Sequence, residues 1–551
     1  MSSKNTLTRS HAQPPVRQEK MKRTDASSSA GGVKAVVEAL RHGMVEMGPL
    51  RTGKTLLKIN QTEGFDCPGC AWPDPKHRSQ FEFCENGAKA VAEEATIKRV
   101  GPRFFKKHSV AELGRWTDYE LGRSGRLTQP MVLDEGASHY KTISWNDAFK
   151  LVADELQSLD SPDEAIFYTS GRTSNEAAFL YQLFIRMFGT NNMPDCSNMC
   201  HESSGSGMVP VIGIGKGTVT LEDFEKAGAI FIFGQNPGTN HPRMLSSLSD
   251  AKAAGAKIVS INPLKEIGLQ RFTHPQRMGD FLAGGRELTD LYLQVRINGD
   301  MALLKGIMKA LLENEAKAPG TILDKAFIEN KTLEFEDFAK DMALTSWEEI
   351  TEESGLLEDD IRQAAKIYQE ADGVIICWAM GLTQHVNGVA NIQSCLNLLL
   401  MGGNIGKHGA GACPVRGHSN VQGDRTMGIW EAPPDAFLDK LGEVFQFNPP
   451  RGHGLAVVPA IKAMHREEVK VFVGMGGNFI SATPDTEYTA DALRKCNLTV
   501  QVSTKLNRSH LITGKKALIL PCLGRTEIDK QQSGKQFVTV ENSMGIVHRS
   551  Q

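Results

Sequence analysis

"GAIFIFGQNPGTNHPRM", Gly228 to Met244, decides the fold. Its apolar run from Ala229 to Phe233 does not alternate with polar residues, so both faces of the strand must be covered. A glycine-rich turn follows, then a helix. "AGAKIVSINPLKE" repeats the same logic, with its strand at Lys257 to Ile261. "EAIFYTSG", "DGVIICWAMGLTQH" and "VKVFVGMGGNFI" add further buried strands. Between them run helices. "SWNDAFKLVADELQSL" starts at a plausible N-cap, Ser144, and "SNEAAFLYQLFIRMFG" closes on Gly189. The pattern predicts parallel sheets between helices. Strand ends that run into Gly, Asn, Thr and His are where open α/β sheets bind ligands. No G-x-G-x-x-G fingerprint follows these strands in Rossmann spacing, which argues against a simple NAD domain. There is no short internal repeat.

The chain has 551 residues, too many for one core, so three or four domains are expected. A net charge of −2 exerts no global pull on nucleic acid or anionic membrane. No apolar stretch is long enough to span a bilayer. The polar, basic N-terminus lacks the apolar core of a signal peptide and a twin-arginine pair. A disordered basic tail over 1–32 and a cytoplasmic location are therefore expected. In a reducing compartment, clustered cysteines suggest metal or catalysis rather than disulfides. Cys377, Cys395, Cys496 and Cys522 lie alone in apolar surroundings and read as core.

Two cysteine clusters remain. "GFDCPGCAWPDPKHRSQFEFCENGAK" holds Cys67, Cys70 and Cys84. Thiolates suit zinc or iron–sulfur clusters, and His77 could complete a zinc set. The proline and loop-like flanks speak against three packed, unligated thiols. "PDCSNMCHESSG" holds Cys196, Cys200 and His201. On its own it fits a metal site, a haem attachment, a redox disulfide or a buried turn. Haem attachment and redox pairs both use C-x-x-C, whereas three residues separate these cysteines.

Taken together, these stretches resemble molybdopterin oxidoreductases of the formate dehydrogenase type, in the branch called formate-dehydrogenase-alpha-like or YdeP-type. Cys67 and Cys70 match the first two ligands of that family's N-terminal cluster and Cys84 the fourth, and Asp74 stands at the third position. A lysine common two residues after the last ligand is replaced by Asn86. Cys200-His201 matches the molybdenum-ligating residue and the histidine after it. Arg416, Asn420, Val421, Gln422 and Gly423 match an arginine signature near molybdenum. Gly234, Asn236 and His241 resemble one nucleotide loop, and Asn262 stands in a second. Gly476 and Asn478 resemble a third contact, and Thr504 and Lys505 a fourth. The likeness runs from about Val33 to Arg549.

The resemblance implies a multidomain α/β fold with Rossmann-like parallel-sheet domains and a small N-terminal iron–sulfur domain. It places the iron–sulfur domain at 56–110, with 521–551 as a candidate completion. It places one pterin-binding domain at 111–195 plus 417–520 and a second at 196–416. The implied cofactors are a [4Fe-4S] cluster and molybdenum bis(molybdopterin guanine dinucleotide). The implied reaction is two-electron oxidation of formate or a similar small substrate, with electrons passed to the cluster and then to a partner protein. Cys200 would ligate molybdenum and His201 would take the proton. Arg416 would orient the substrate, since its planar fork matches a carboxylate. Cys196 reads as packing. The family continues into a barrel-like domain closing over both pterins, and "VTVENSMGIVHRSQ" stops before it. Poor cofactor retention is therefore expected, with a truncated, non-catalytic remnant or partner-dependent scaffold as the alternative.

Overall fold

The computed structural model describes residues 12–15 and 25–550. Eleven strands, in chain order, make two sheets. They are β1 (Met131–Leu133), β2 (Lys141–Thr142), β3 (Ala165–Thr169), β4 (Ala229–Phe233), β5 (Lys257–Ile261) and β6 (Leu291–Leu293). Then come β7 (Val374–Trp378), β8 (Gly411–Pro414), β9 (Val471–Met475), β10 (Leu498–Ser503) and β11 (Lys516–Pro521). The first sheet, in spatial order β6-β5-β4-β7-β8, is parallel throughout. The second runs β2-β1-β11-β10-β9-β3, parallel from β11 to β3, with β1 and β2 antiparallel at one edge.

The unbroken apolar runs are explained by what covers them. In the first sheet, Phe231, Phe233, Ile376 and Trp378 point to helices Asp300–Lys317, Glu358–Gln369 and Gly388–Met401. Their neighbours Ile230, Ile232, Ile375 and Cys377 point the other way, toward helix Met244–Ala253. Period-two alternation thus buries both sets, at about 1.5–3 kcal/mol per large side chain. The second sheet does the same, with Ile166 and Phe472 on one face and Phe167, Val471 and Val473 on the other.

Several local readings hold. The second strand runs from Lys257 to Ile261 as expected. Ser144 caps helix Trp145–Gln157 through the Asp147 N–H, and Gly189 ends helix Asn175–Phe188 at φ 116°. Others change. The expected tail over 1–32 lies mostly outside the described residues, but Ala30–Gly31 pairs with Phe272–Thr273, and Ala12 is buried against the second sheet's core. Cys522 is half-buried just beyond β11, where its carbonyl accepts from Arg126 Nη2 at 3.0 Å. Cys377, Cys395 and Cys496 are fully buried, as expected.

Ahead of the sheets, helix Gly32–Met47 packs on helix Glu85–Glu94 around Ile59 and Phe65. The last hairpin, Val538–Glu541 with Val547–Ser550, spans both regions. Its Ser550 Oγ accepts from Asp66 N, and its Ser543 N donates to Ala71 O at 2.9 Å. Among the described residues no helix is long and apolar enough to cross a membrane.

Candidate active site

The carboxyl ends of both sheets face a cavity of about 550 Å³. Cys67, Cys70 and Cys84 line one wall, and Cys196, Cys200 and His418 line another. The thiol wall is shaped by backbone. Cys84 caps helix Glu85–Glu94, and its Sγ accepts from Gly87 N at 3.2 Å. Cys67 Sγ accepts from Gly69 N at 3.3 Å. A Cβ on Gly87 would stand 2.8 Å from Cys67 Sγ and 3.4 Å from Cys84 Sγ, so glycine leaves room for the sulfurs. Burial and mutual repulsion push the Cys70 thiol up to about 12 and hold the Cys67 thiol well above its usual range. These thiols keep their protons until a metal displaces them.

Asp74, expected at the third ligand position, does not line this cavity. Its carboxylate is buried 2.7 Å from Arg243 Nη2, with Arg78 at 3.4 Å and His548 at 3.6 Å. His77 is exposed and lines a different groove. Among the described residues no three His, Cys, Asp or Glu side chains could hold a single metal ion. Thiols spread around a wall fit a polynuclear cluster better than one zinc ion.

Cys200 follows a short turn, Cys196–Met199, and its carbonyl accepts from Thr383 Oγ1 at 2.6 Å. Burial pushes its thiol up to about 11, while Arg416 and the Gly417 N–H pull it down. Arg416 is buried, and among the described residues it makes no ion pair with a carboxylate. Its Nε donates to Gln422 Oε1 at 2.8 Å and its Nη2 to Gly215 O at 2.8 Å. Gln422 donates in turn to Glu541 Oε1 and Asn542 O, both at 2.9 Å. Gln422 thus holds Arg416 in place through its amide oxygen.

His201 differs most from expectation. It is buried beside the cavity, with Nδ1 2.9 Å from Ser204 Oγ and Nε2 3.2 Å from Val415 O. Trp378 Nε1 donates to the same Ser204 Oγ at 3.0 Å. Burial, then Arg416, hold the imidazole well below its usual range, so it is neutral. Both ring nitrogens are engaged, and a role as proton acceptor requires one contact to open.

The nucleotide-loop residues divide. Gly234, Asn236 and His241 line the cavity. Asn236 Oδ1 accepts from Thr239 N, and His241 Nε2 donates to Arg416 O at 2.9 Å. Asn262 lies at the end of β5, outside the cavity wall, and donates to Leu264 O at 2.8 Å. Gly476, Asn478, Thr504 and Lys505 follow β9 and β10 and also stay off this wall. Asn478 Oδ1 accepts from Ser509 Oγ at 3.1 Å, and Lys505 Nζ pairs with Glu93 at 2.8 Å. Missing from the sequence reading are Tyr168 and Arg172, which reach the cavity from the end of β3. The strand-end rule could have flagged both.

The site suits a large polar cofactor with a soft metal. Gln235 lines the cavity, and among the described residues its Oε1 is buried without a hydrogen-bond partner; Thr169 Oγ1 and Ser503 Oγ, at the ends of β3 and β10 but off the cavity wall, are buried without one as well. Such unmet groups are costly unless a bound heterocycle satisfies them. Cys200 supplies the soft donor.

The chain is similar to several known proteins. Residues 126–512 match the molybdopterin oxidoreductase family model. An uncharacterized oxidoreductase of Mycobacterium tuberculosis is 55% identical over 522 residues, covering 95% of this chain and 67% of that protein. Protein YdeP of Escherichia coli is 50% identical over 530 residues, covering 95% and 69%. The F420-dependent formate dehydrogenase 1 alpha subunit of Methanococcus maripaludis is 31% identical, covering 75% and 59%. The acetylene hydratase of Pelobacter acetylenicus shares the fold at a TM-score of 0.56 and 16% identity, covering 76% and 58%. A likeness this long and this close, on a fold whose strand ends open onto one cavity, makes the chain a member of the molybdopterin oxidoreductase family, in line with its formate dehydrogenase-like YdeP branch.

Proposed function

We propose that this chain oxidises formate or a similarly small anion by two electrons, using molybdenum bis(molybdopterin guanine dinucleotide) held at Cys200. The observation that carries the reading is one cavity shared by Cys200 and the three-thiol wall, with Arg416 beside Cys200 and, among the described residues, unmatched by a carboxylate. When bound, the metal centre would supply the two-electron chemistry that turns formate into carbon dioxide, a proton and two electrons. Cys200 would ligate it as thiolate, favoured by Arg416 and the Gly417 N–H. Arg416, held by Gln422 and Gly215, would present its remaining guanidinium donors to the substrate carboxylate. His201, neutral and adjacent, would take the proton once its contact with Ser204 opens. Gly234, Asn236 and His241 would hold one pterin dinucleotide. Asn262, Gly476, Asn478, Thr504 and Lys505 would contact the rest of the cofactor at the other strand ends. Cys67, Cys70 and Cys84 would hold a [4Fe-4S] cluster, with Asp74 reaching it only if it leaves Arg243. The cluster would hand electrons to a partner protein in the cytoplasm.

The domain division at 56–110, 111–195 plus 417–520, and 196–416 is part of the same reading. The formate dehydrogenase subunits among its relatives support the substrate class. Metal analysis with dye-linked formate oxidation tests it. Near one molybdenum per chain, with activity abolished in Cys200→Ser, is expected. A folded chain without molybdenum defeats the enzyme reading and leaves a scaffold. Activity that survives in Cys200→Ser defeats the ligand assignment.

A further inference from the structure

Two guanidinium groups line the cavity, those of Arg172 and Arg243. Arg243 is matched, 2.7 Å from Asp74 and 3.1 Å from Glu82. Its deep neighbours are matched as well: Arg425 by Asp195, Arg525 by Asp66 and Arg126 by Glu527. Arg172 is different. Among the described residues its guanidinium has no ion pair and no hydrogen bond.

Its location is well defined by its neighbours. Gly171, just before it, packs so closely on the second cysteine loop that a Cβ there would lie 2.6 Å from Cys196 Sγ. On the opposite side, the Arg172 carbonyl accepts from Arg525 Nη2 at 3.2 Å, and Arg525 Nη1 reaches Cys67 O at 3.4 Å. Arg172 thus stands between the Cys67 loop and the Cys196–Cys200 loop. Arg172 is exposed on the cavity wall, and among the described residues no carboxylate stands beside it, so its charge is open to an anionic occupant of the cavity.

Thiolates on iron carry that counter-charge, and it grows by one unit when the cluster accepts an electron. We infer that Arg172 is the counter-ion of the iron–sulfur cluster on the side facing Cys200, and raises the potential at which the cluster is reduced. The inference rests on Cys67, Cys70 and Cys84 being cluster ligands. Removing the cation leaves the extra electron less stabilised, so reduction then requires a stronger reductant.

The test is an EPR-monitored redox titration with dithionite on the full chain, comparing wild type, Arg172→Gln, Arg172→Lys and the distant control Arg451→Gln. Iron, molybdenum and pterin are quantified on each sample. With iron content equal, Arg172→Gln should shift the cluster midpoint to more negative potential. Arg172→Lys should restore most of the shift, and the control should show none. An unchanged midpoint in iron-replete Arg172→Gln overturns the proposal. So does an unchanged midpoint with lower pterin content or a higher KM for formate, which would assign Arg172 to pterin or substrate. Iron-free but folded wild type would instead remove the cluster reading itself.

Discussion

The two sheets end alike and are used differently. In the first, Gly234 directly after β4 and Gly381, three residues beyond β7, nearly touch through their backbones. A Cβ on Gly234 would lie 2.7 Å from the Gly381 carbonyl carbon. That close approach lets Gly234, Gln235, Asn236 and Met380 open onto the cavity. In the second, the glycines after β9 lie against Ser170, and Lys505 turns to Glu93. This sheet reaches the cavity through Tyr168 and Arg172 after β3 instead. The rule that ligands sit at strand carboxyl ends locates the correct side of each sheet. Which loop does the work is settled by which polar groups already have partners.

Substitutions at matched positions probe that contrast. Gly234→Val should lose the most stability, about 3–5 kcal/mol, because φ is 55° and backbone blocks the Cβ. Gly476→Ala, at φ 70° with Ser170 Cβ 3.2 Å away, should lose about 1–2 kcal/mol. Urea unfolding followed by tryptophan fluorescence compares the two, and equal losses would erase the distinction between the sheet ends.

A buried carboxyl in the helical layer of the first sheet should show in pH dependence. Burial pushes Asp300 up to about 6, against a smaller pull from His385. The folded state therefore binds this proton more tightly than the unfolded chain, whose carboxyl titrates near ~3.9. Its contribution is fully present below about pH 4 and lost as pH rises through about 6. Asp300→Asn should be more stable than wild type above that pH, by about 2–3 kcal/mol at most, and equal to it below pH ~4. Thermal melts at both ends of the range decide this, and a difference independent of pH would reject it. The smallest effect belongs to Lys505→Met. Both partners of its ion pair are 24% exposed, so the loss should stay below about 1 kcal/mol. If Lys505 serves the cofactor, pterin content falls while the melting temperature holds.

Much of the fold was legible. The unalternating runs at Ala229–Phe233 and Lys257–Ile261 could only be strands buried on both faces, and Ser144 and Gly189 marked helix ends by local chemistry. The cavity was legible where a motif and its contacts lie close in sequence, as with Asn236 and His241. It was not legible where a distant partner decides. Asp74 reads as a ligand until Arg243 is seen beside it. Gln422 reads as a cofactor contact, with no sign of Arg416 and Glu541 at the two ends of its amide. His201 reads as a free base until Ser204 and Val415 occupy its nitrogens. Arg172 carries no motif, and only the lack of a partner reveals it.

The closing hairpin adds a matter of timing. Ser550 secures the Cys67 loop across 484 residues of sequence, and Ser543 ties Ala71 to Arg416. At about 5–20 residues per second of synthesis, the thiol wall waits roughly 25–100 s for those contacts. Until then the thiol wall lacks the contacts that Ser550 and Ser543 give it.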